Sequence, residues 1–506
     1  MQALYGLEIL KLENCKHIME KREFLKKSAI LASSAAVMPS LILSCKEAKE
    51  KTSTDTSIKR LRTAHIGVGN MGGADLHDIS SHAKVDVVAL CDVDTNYLAA
   101  AKKLHPNAKV YTDYRIMLKE MANEIDAVIV STPDHTHAPA SIMAMNMDKH
   151  VYCQKPLTHH VTEARTMKTL ATEKGLVTQM GIQVHSFYDY KLATLLIQSG
   201  IIGKVHTVRA WSPKNWGYDG PTPDGSDPIP EALDWNLWLG TSAERPYKKE
   251  IYHPGNWRKL MDYGCGTLGD MGVHIFDTPY NALELDVPMS IKNECREPNG
   301  FGYPENNIVT YEFPETKHTA ETLKWVWYDG PGAPRDHEDF KLPNVVNTAD
   351  KSEKSSNKEA SVKDKISLET KTTVEGKLPE QGAMFMGEKG RLLLPHFMEL
   401  PRKIVNGEYV DISAEIAEVE KVNNMGKPIR DYASEGPKHY HQFVDACLGK
   451  DECTAPFSYA ARLTETILLG VIAGRFPNQT LHWDSKAAEF AEEEANQYLG
   501  SKYREF

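Results

Sequence analysis

At 506 residues the chain exceeds one ordinary domain, so two domains plus an appendage are expected. Hydrophobic residues make up 41% and charged residues 25%, the balance of a globular protein with a sizeable core. A net charge of -10, with both signs mixed along the chain, provides no basic stripe for phosphates and excludes nucleic acid as the expected partner. The eight cysteines are scattered, without a CxxC pair, a zinc-site spacing or a legible disulfide framework.

Residues 1–45 read as an address. From Met19 a basic stretch (Lys21, Arg22, Lys26, Lys27) precedes a weakly hydrophobic Ala/Ser/Leu run from Ser28 to Ser44, too short and too small-residue-rich for a good membrane span. Lys21-Arg22-Glu23-Phe24-Leu25-Lys26 resembles a twin-arginine export signal. Ile42-Leu43-Ser44-Cys45 resembles a bacterial lipobox, which would make Cys45 the lipidated first mature residue, with Met19 as the start. Residues 46–60, rich in Lys, Glu, Ser and Thr, read as a tether. The expectation is an exported, periplasmic or membrane-anchored lipoprotein, touching the membrane through that anchor only.

Residues 61–185 read as a nucleotide-binding domain. An apolar strand runs into Gly67-x-Gly69-x-x-Gly72. The first glycine permits the tight turn, the second admits the pyrophosphate to the backbone, and the third lets helix pack on strand. Amides at the start of the following helix, with Asn70 and Met71 in the turn, then face the phosphates. A second strand, Val85–Cys91, ends at Asp92, where an acid receives the adenosine ribose hydroxyls and repels a 2′-phosphate. The cofactor read from these residues is NAD. The strand Ala127–Ser131 delivers Ser131, Thr132, Pro133, His135 and His137 beyond its carboxyl end, which is where ligands lie in open α/β sheets. The strand from Val151 delivers Gln154, Lys155 and Pro156 to the same edge.

These motifs resemble the Gfo/Idh/MocA family of oxidoreductases: the GxGxxG opening, the Thr-Pro-x-x-x-His turn and a Glu-Lys-Pro motif, here Gln154-Lys155-Pro156. Gln179-Met180-Gly181-Ile182-Gln183-Val184-His185 and the ending, from Leu481 to Phe506, are similar to a secreted branch of that family. The resemblance implies an α/β fold: an N-terminal Rossmann domain plus a C-terminal α+β domain with a large open, mostly antiparallel sheet, here residues 186–506. A charged segment at 347–377, poor in apolar residues, reads as a surface insertion.

All eight tryptophans lie from Trp211 onward, and five cluster between Trp211 and Trp257 among Asp, Asn, Arg and Tyr. Aromatic faces beside polar forks suit a carbohydrate. Gln183, His185, Trp257, Arg258 and Tyr263 are the candidate substrate contacts, while most tryptophans are expected in the core. In the stretch 256–277, glycines suggest a loop passing close to a ligand. A helix beginning near Thr267 would place Asp270 and His274 on one face, with Asp277 orienting the imidazole. An acid–imidazole pair suits alcohol oxidation, with Lys155 hydrogen-bonding the same hydroxyl. The spacing of four also suits a zinc pair, but no third ligand is evident, so no metal is expected. The family resemblance makes Lys155, Asp270 and His274 the catalytic trio, with His274 as base.

The expected function is NAD-dependent oxidation of a sugar or sugar-derivative hydroxyl. An exported protein meets little free dinucleotide, so the cofactor is expected to be tightly held, with a net reaction that could be redox-neutral. One alternative is an NAD-dependent glycoside hydrolase working by transient oxidation and elimination. The family's glycosidases generally lack the Lys-Pro motif kept here. A second alternative is a non-catalytic carbohydrate-binding lipoprotein. The expected partners are a small carbohydrate or glycoside and, through the large sheet, a possible homo-oligomer.

Overall fold

The computed structural model describes residues 60–343, 376–426, 428 and 431–506. The export segment, the tether up to residue 59 and all but the last two residues of 347–377 lie outside the described residues.

β1 (Leu61–Ile66) is buried along almost its whole length, as a strand covered on both faces must be. It pairs in parallel with β2 (Val85–Cys91) and β4 (Ala127–Val130). With β3 (Lys109–Tyr111), β5 (His150–Cys153) and β6 (Thr178–Met180) these make a six-stranded sheet in the order β3-β2-β1-β4-β5-β6. That is the Rossmann order, and its switch point between β1 and β4 opens the ligand crevice. The crossover helices are α1 (Met71–Ser80), α2 (Thr95–Leu104), α3 (Tyr114–Glu120), α4 (Asp134–Asn146) and α5 (Val161–Lys174). Their ends carry local signals: Asp94 caps α2 by accepting the Asn96 N–H at 2.9 Å, and left-handed Gly175 stops α5.

The second half carries β7 (Val205–Ser212), β8 (Ser290–Glu294), β9 (Asn307–Pro314), β10 (Thr319–Asp329), β11 (Gln381–Gly387), β12 (Gly390–His396), β13 (Arg402–Val405), β14 (Glu408–Val410), β15 (Thr480–Asp484) and β16 (Glu489–Phe490). They form a ten-stranded sheet in the order β14-β13-β12-β11-β7-β10-β9-β8-β15-β16. Every neighbouring pair is antiparallel except β7 (Val205–Ser212) with β10 (Thr319–Asp329). β9 (Asn307–Pro314) alternates buried and less buried side chains, as a strand with one face on the core does. β11 (Gln381–Gly387) and β12 (Gly390–His396) meet in a hairpin, with Gly387 opposite Gly390. One face of the sheet packs under helices, where Phe276 of α8 (Val273–Ala282) lies 4.2 Å from the Trp325 ring. The other face holds Trp211, Tyr328, Met384 and Leu393 against Phe340.

The late helices α10 (Tyr432–Cys447) and α11 (Phe457–Ala473) pack back onto the first half, against α1 and α5 respectively. Buried Glu465 of α11 receives Arg165 of α5 at 2.5 Å, and Arg462 at 2.8 Å. His439 of α10 is fully buried against Ser186 and Met180, whereas His441 faces Ser81 near the surface.

The turn after β1 depends on close approach. Gly67 has φ +81°, and a Cβ there would meet the Ser131 carbonyl at 2.6 Å. A Cβ on Gly72 would lie 2.2 Å from the Gly67 carbonyl oxygen, whereas one on Gly73 would meet nothing nearer than 3.3 Å. Gly72→Ala is therefore expected to lose about 1–3 kcal/mol of stability in urea denaturation, while Gly73→Ala stays near wild type. Equal stability of the two variants would contradict this packing.

Candidate active site

A cleft of about 820 Å3 runs between the two halves. From the first half it takes Gly67, Gly69, Asn70, Met71, Asp92, Ser131, Thr132, Pro133, His137, Gln154, Lys155 and Gln183, and from the second Trp257, Arg258, Asp270 and His274. The candidate cofactor, catalytic and substrate residues are thus brought largely into one space.

Four candidates lie elsewhere. Gly72 sits behind the turn. His135 is buried under the cleft wall, its Nε2 donating to the Trp238 carbonyl at 3.1 Å. Tyr263 is fully buried among His135, Trp238 and Tyr252, so it is a packing residue rather than a wall. His185 turns away into a separate cavity of about 450 Å3, because Asp277 holds its Nδ1 at 2.9 Å.

That last contact corrects the expected Asp277–His274 pair. Asp277 accepts from His185 and, at 2.7 Å, from the Tyr459 hydroxyl, so its carboxylate serves α11 and the end of the first half. His274 is left with a buried Nδ1 that has no hydrogen-bond partner among the described residues. Burial, with Lys155 nearby, holds its imidazole well below the usual histidine pKa, so the ring is neutral.

The helix bearing these residues opens with a π-helical turn at Leu268–Gly272 before α8 begins. Such one-turn bulges recur at functional sites because the wider turn re-aims side chains. Gly269 makes the turn possible: a Cβ there would meet Cys265 Cβ at 2.2 Å. The glycines of this stretch answer to the protein's own packing rather than to a ligand. A Cβ on Gly264 would lie 2.7 Å from Arg258 Cα, and one on Gly266 would lie 3.0 Å from the Tyr303 ring.

Asp270 is the most heavily partnered group in the cleft. Lys155 donates to its Oδ1 at 3.0 Å and to its backbone carbonyl at 3.1 Å. Trp216 Nε1 donates to Oδ2 at 2.6 Å, and Arg258 Nε lies 3.4 Å from Oδ1. Burial opposes ionisation, but the neighbouring Lys155 and Arg258 charges outweigh it and hold the carboxyl well below its ordinary range. Arg258 in turn stacks over Trp257 at 4.3 Å.

At the nucleotide end, Asp92 Oδ2 accepts the Val68 N–H at 2.8 Å and Oδ1 the Asp94 N–H at 2.9 Å. It therefore braces the glycine-rich turn, while each oxygen keeps a lone pair. A dinucleotide fits this cradle: glycines where the backbone must be approached, amides at the start of α1 and an acid at the end of β2.

Asp134, His253, His396 and Asp75 were missed in the sequence, where Trp216 and Trp238 stood out only as members of the tryptophan cluster. Asp134 stands inside the Thr-Pro motif and lines the cleft, and burial pushes its carboxyl up to about 7. His396, at the end of β12, carries no sequence signal at all. Among the described residues no group of three or more His, Cys, Asp and Glu side chains is arranged to hold a metal ion.

Residues 61–182 match the NAD-binding Rossmann fold of the Gfo/Idh/MocA oxidoreductase family, and residues 188–301 match that family's C-terminal α/β domain. The nucleotide-binding half and the start of the second half thus both resemble the Gfo/Idh/MocA family. Inositol 2-dehydrogenase of Salmonella typhimurium is 29% identical over 149 residues, covering 28% of this chain and 43% of that protein. An alpha-N-acetylgalactosaminidase of Shewanella oneidensis is 26% identical over 373 residues, covering 62% of this chain and 80% of that protein. The myo-inositol dehydrogenase of Lactobacillus casei, solved with NAD(H) and myo-inositol, shares the fold at a TM-score of 0.50. Its identity is 17%, over 84% of this chain and 97% of that one. The first curated relatives are matched over only 40–45% of their own length.

Asp134 yields a pH prediction. Its folded pKa of about 7 is raised above the unfolded value, so the fold favours the neutral acid. That contribution is complete below the unfolded pKa and disappears as pH rises through about 7. Asp134→Asn is expected to raise Tm relative to wild type more at about pH 8.5 than at about pH 5.5. A Tm difference independent of pH would contradict the buried acid.

Proposed function

We propose that the protein is an NAD-dependent oxidoreductase acting on a carbohydrate hydroxyl, with a tightly held cofactor. The observation that carries this reading is the meeting of Lys155, Asp270 and His274 in the cleft that also holds the glycine-rich turn. Gly67, Gly69, Asn70 and Met71 would take the pyrophosphate through backbone amides, and Asp92 the ribose hydroxyls. Bound NAD would supply the hydride acceptor.

The chain's own residues then divide the work. His274, neutral in its buried position, is in the form that takes a proton from a substrate hydroxyl. Lys155 donates to the same oxygen and stabilises charge as it develops. Asp270, ionised and saturated with donors, fixes Lys155 and is not the base. Trp238 and Trp257 give the cleft wall apolar surface for sugar C–H groups, while Arg258 and Gln183 offer donors and acceptors. The inositol dehydrogenases among the relatives act on a polyhydroxylated ring, which supports this substrate class.

A second reading is favoured by the longer match to the Shewanella oneidensis galactosaminidase: a glycoside hydrolase using transient oxidation. The retained Lys155 favours net oxidation instead. Export with lipidation at Cys45 belongs to the same proposal, since a secreted enzyme needs a cofactor that does not diffuse away.

Mass spectrometry of small molecules released from purified protein is expected to give NAD or NADH. A glycoside and sugar panel is expected to give keto-sugar, with Lys155→Ala lowering turnover about 100-fold or more. Free sugar without keto-sugar would select the hydrolase reading. Absence of bound dinucleotide would contradict the tight cofactor, and unchanged turnover in Lys155→Ala would contradict the site.

A further inference from the structure

Beneath the Gln154–Lys155 turn lies a carboxylate that the reaction above does not use. Asp75, on α1, is fully buried. It accepts from Ser131 Oγ at 2.5 Å, from Gln154 Nε2 at 3.0 Å to each oxygen, and from the Tyr440 hydroxyl at 2.8 Å. These donors come from the end of β4, the end of β5 and α10, so one carboxylate ties together three segments at the cleft floor. Gln154 passes the constraint on: its Oε1 accepts the Lys155 backbone N–H at 3.2 Å. Tyr440 extends it across the cleft by accepting from Gln183 Nε2 at 2.8 Å.

The Gln154 amide is required by this geometry. It must donate on one side and accept on the other, which a carboxylate cannot do. A glutamate there would set two carboxylates about 3 Å apart in a dry site, where both cannot ionise. The fit is tight on the far side too, since a Cβ on Gly181 would lie 2.7 Å from Gln154 Nε2.

We infer that Asp75 is a positioning residue for the reactive turn, supplying from α1 the buried negative charge that fixes Gln154 and, through it, Lys155. The positioning rests on geometry, while its importance for turnover rests on the function proposed above. Burial pushes the Asp75 carboxyl up to about 6, and its three donors limit that rise. The other titratable groups facing it are Asp78 of α1, Tyr152 and Cys153 of β5, and Tyr432 and Tyr440 of α10. Burial pushes the phenols and the thiol up, so none of these four carries charge near neutrality.

A reciprocal exchange tests this, with Tm and NADH affinity (by nucleotide fluorescence) read across about pH 5.5–8. Asp75→Asn points an amide N–H at donors and is expected to weaken NADH about tenfold and lower Tm. Gln154→Glu is expected to approach wild type near pH 5.5, where the two acids share a proton, and to weaken about tenfold by pH 8. The double variant Asp75→Asn/Gln154→Glu restores one acid facing one amide. It is expected to return to within about threefold of wild type and to lose the added pH dependence. A merely structural role for Asp75 would not produce that pH-dependent rescue. A double variant no better than the worse single variant, or singles indistinguishable from wild type, would overturn the inference. Wild-type protein that binds no NADH would instead sink the proposed function, while the Tm cycle of the four proteins still decides the exchange. If Asp75→Asn fails to fold, Gln154→Glu and the double variant decide it alone.

Discussion

The buried pair of Lys155 and Asp270 is the contact on which the rest of this protein turns. Each side chain is 14% exposed, their charged atoms lie 3.0 Å apart, and they come from opposite halves of the chain. A pair so withdrawn from water stands only with further hydrogen bonds, and removing one partner leaves the other charge stranded. Here the further bonds come from Trp216, Arg258 and the Asp270 carbonyl. The cleft is therefore organised around a cation whose position is set from both sides: by Asp270 in front, and by the Gln154 amide and Asp75 beneath.

Much of the fold was legible in the sequence because local signals and global fold agree. The largely buried strands, the glycine spacing and the acid at the end of β2 each have a single reading in the parallel sheet. The C-terminal sheet was expected from family resemblance. Its strand order, with one parallel pair amid antiparallel ones, is set by long-range pairing that no local pattern encodes.

The candidate site was legible where a motif places a residue at a strand end, as with Lys155 and Gln154. It failed where side-chain direction decides. His185 and Asp277 were each singled out, but for different partners; the structure joins them to each other and turns both away from His274. The π-helical turn could not be read from spacing, since the sequence 267–277 suits an unbroken helix equally well. His396 and Asp75 reach the floor and wall of the cleft through tertiary packing alone.

The central claim is that the dinucleotide lies along this cleft with its reactive end among Lys155, Asp270 and His274. A crystal structure of the protein with NAD tests it most directly. The account predicts the adenosine ribose at Asp92, the pyrophosphate over Gly69–Met71, and the nicotinamide ring within hydrogen-bonding or van der Waals reach of the Lys155–His274 wall. Nicotinamide density directed away from that wall, or a dinucleotide bound outside the cleft, would contradict it.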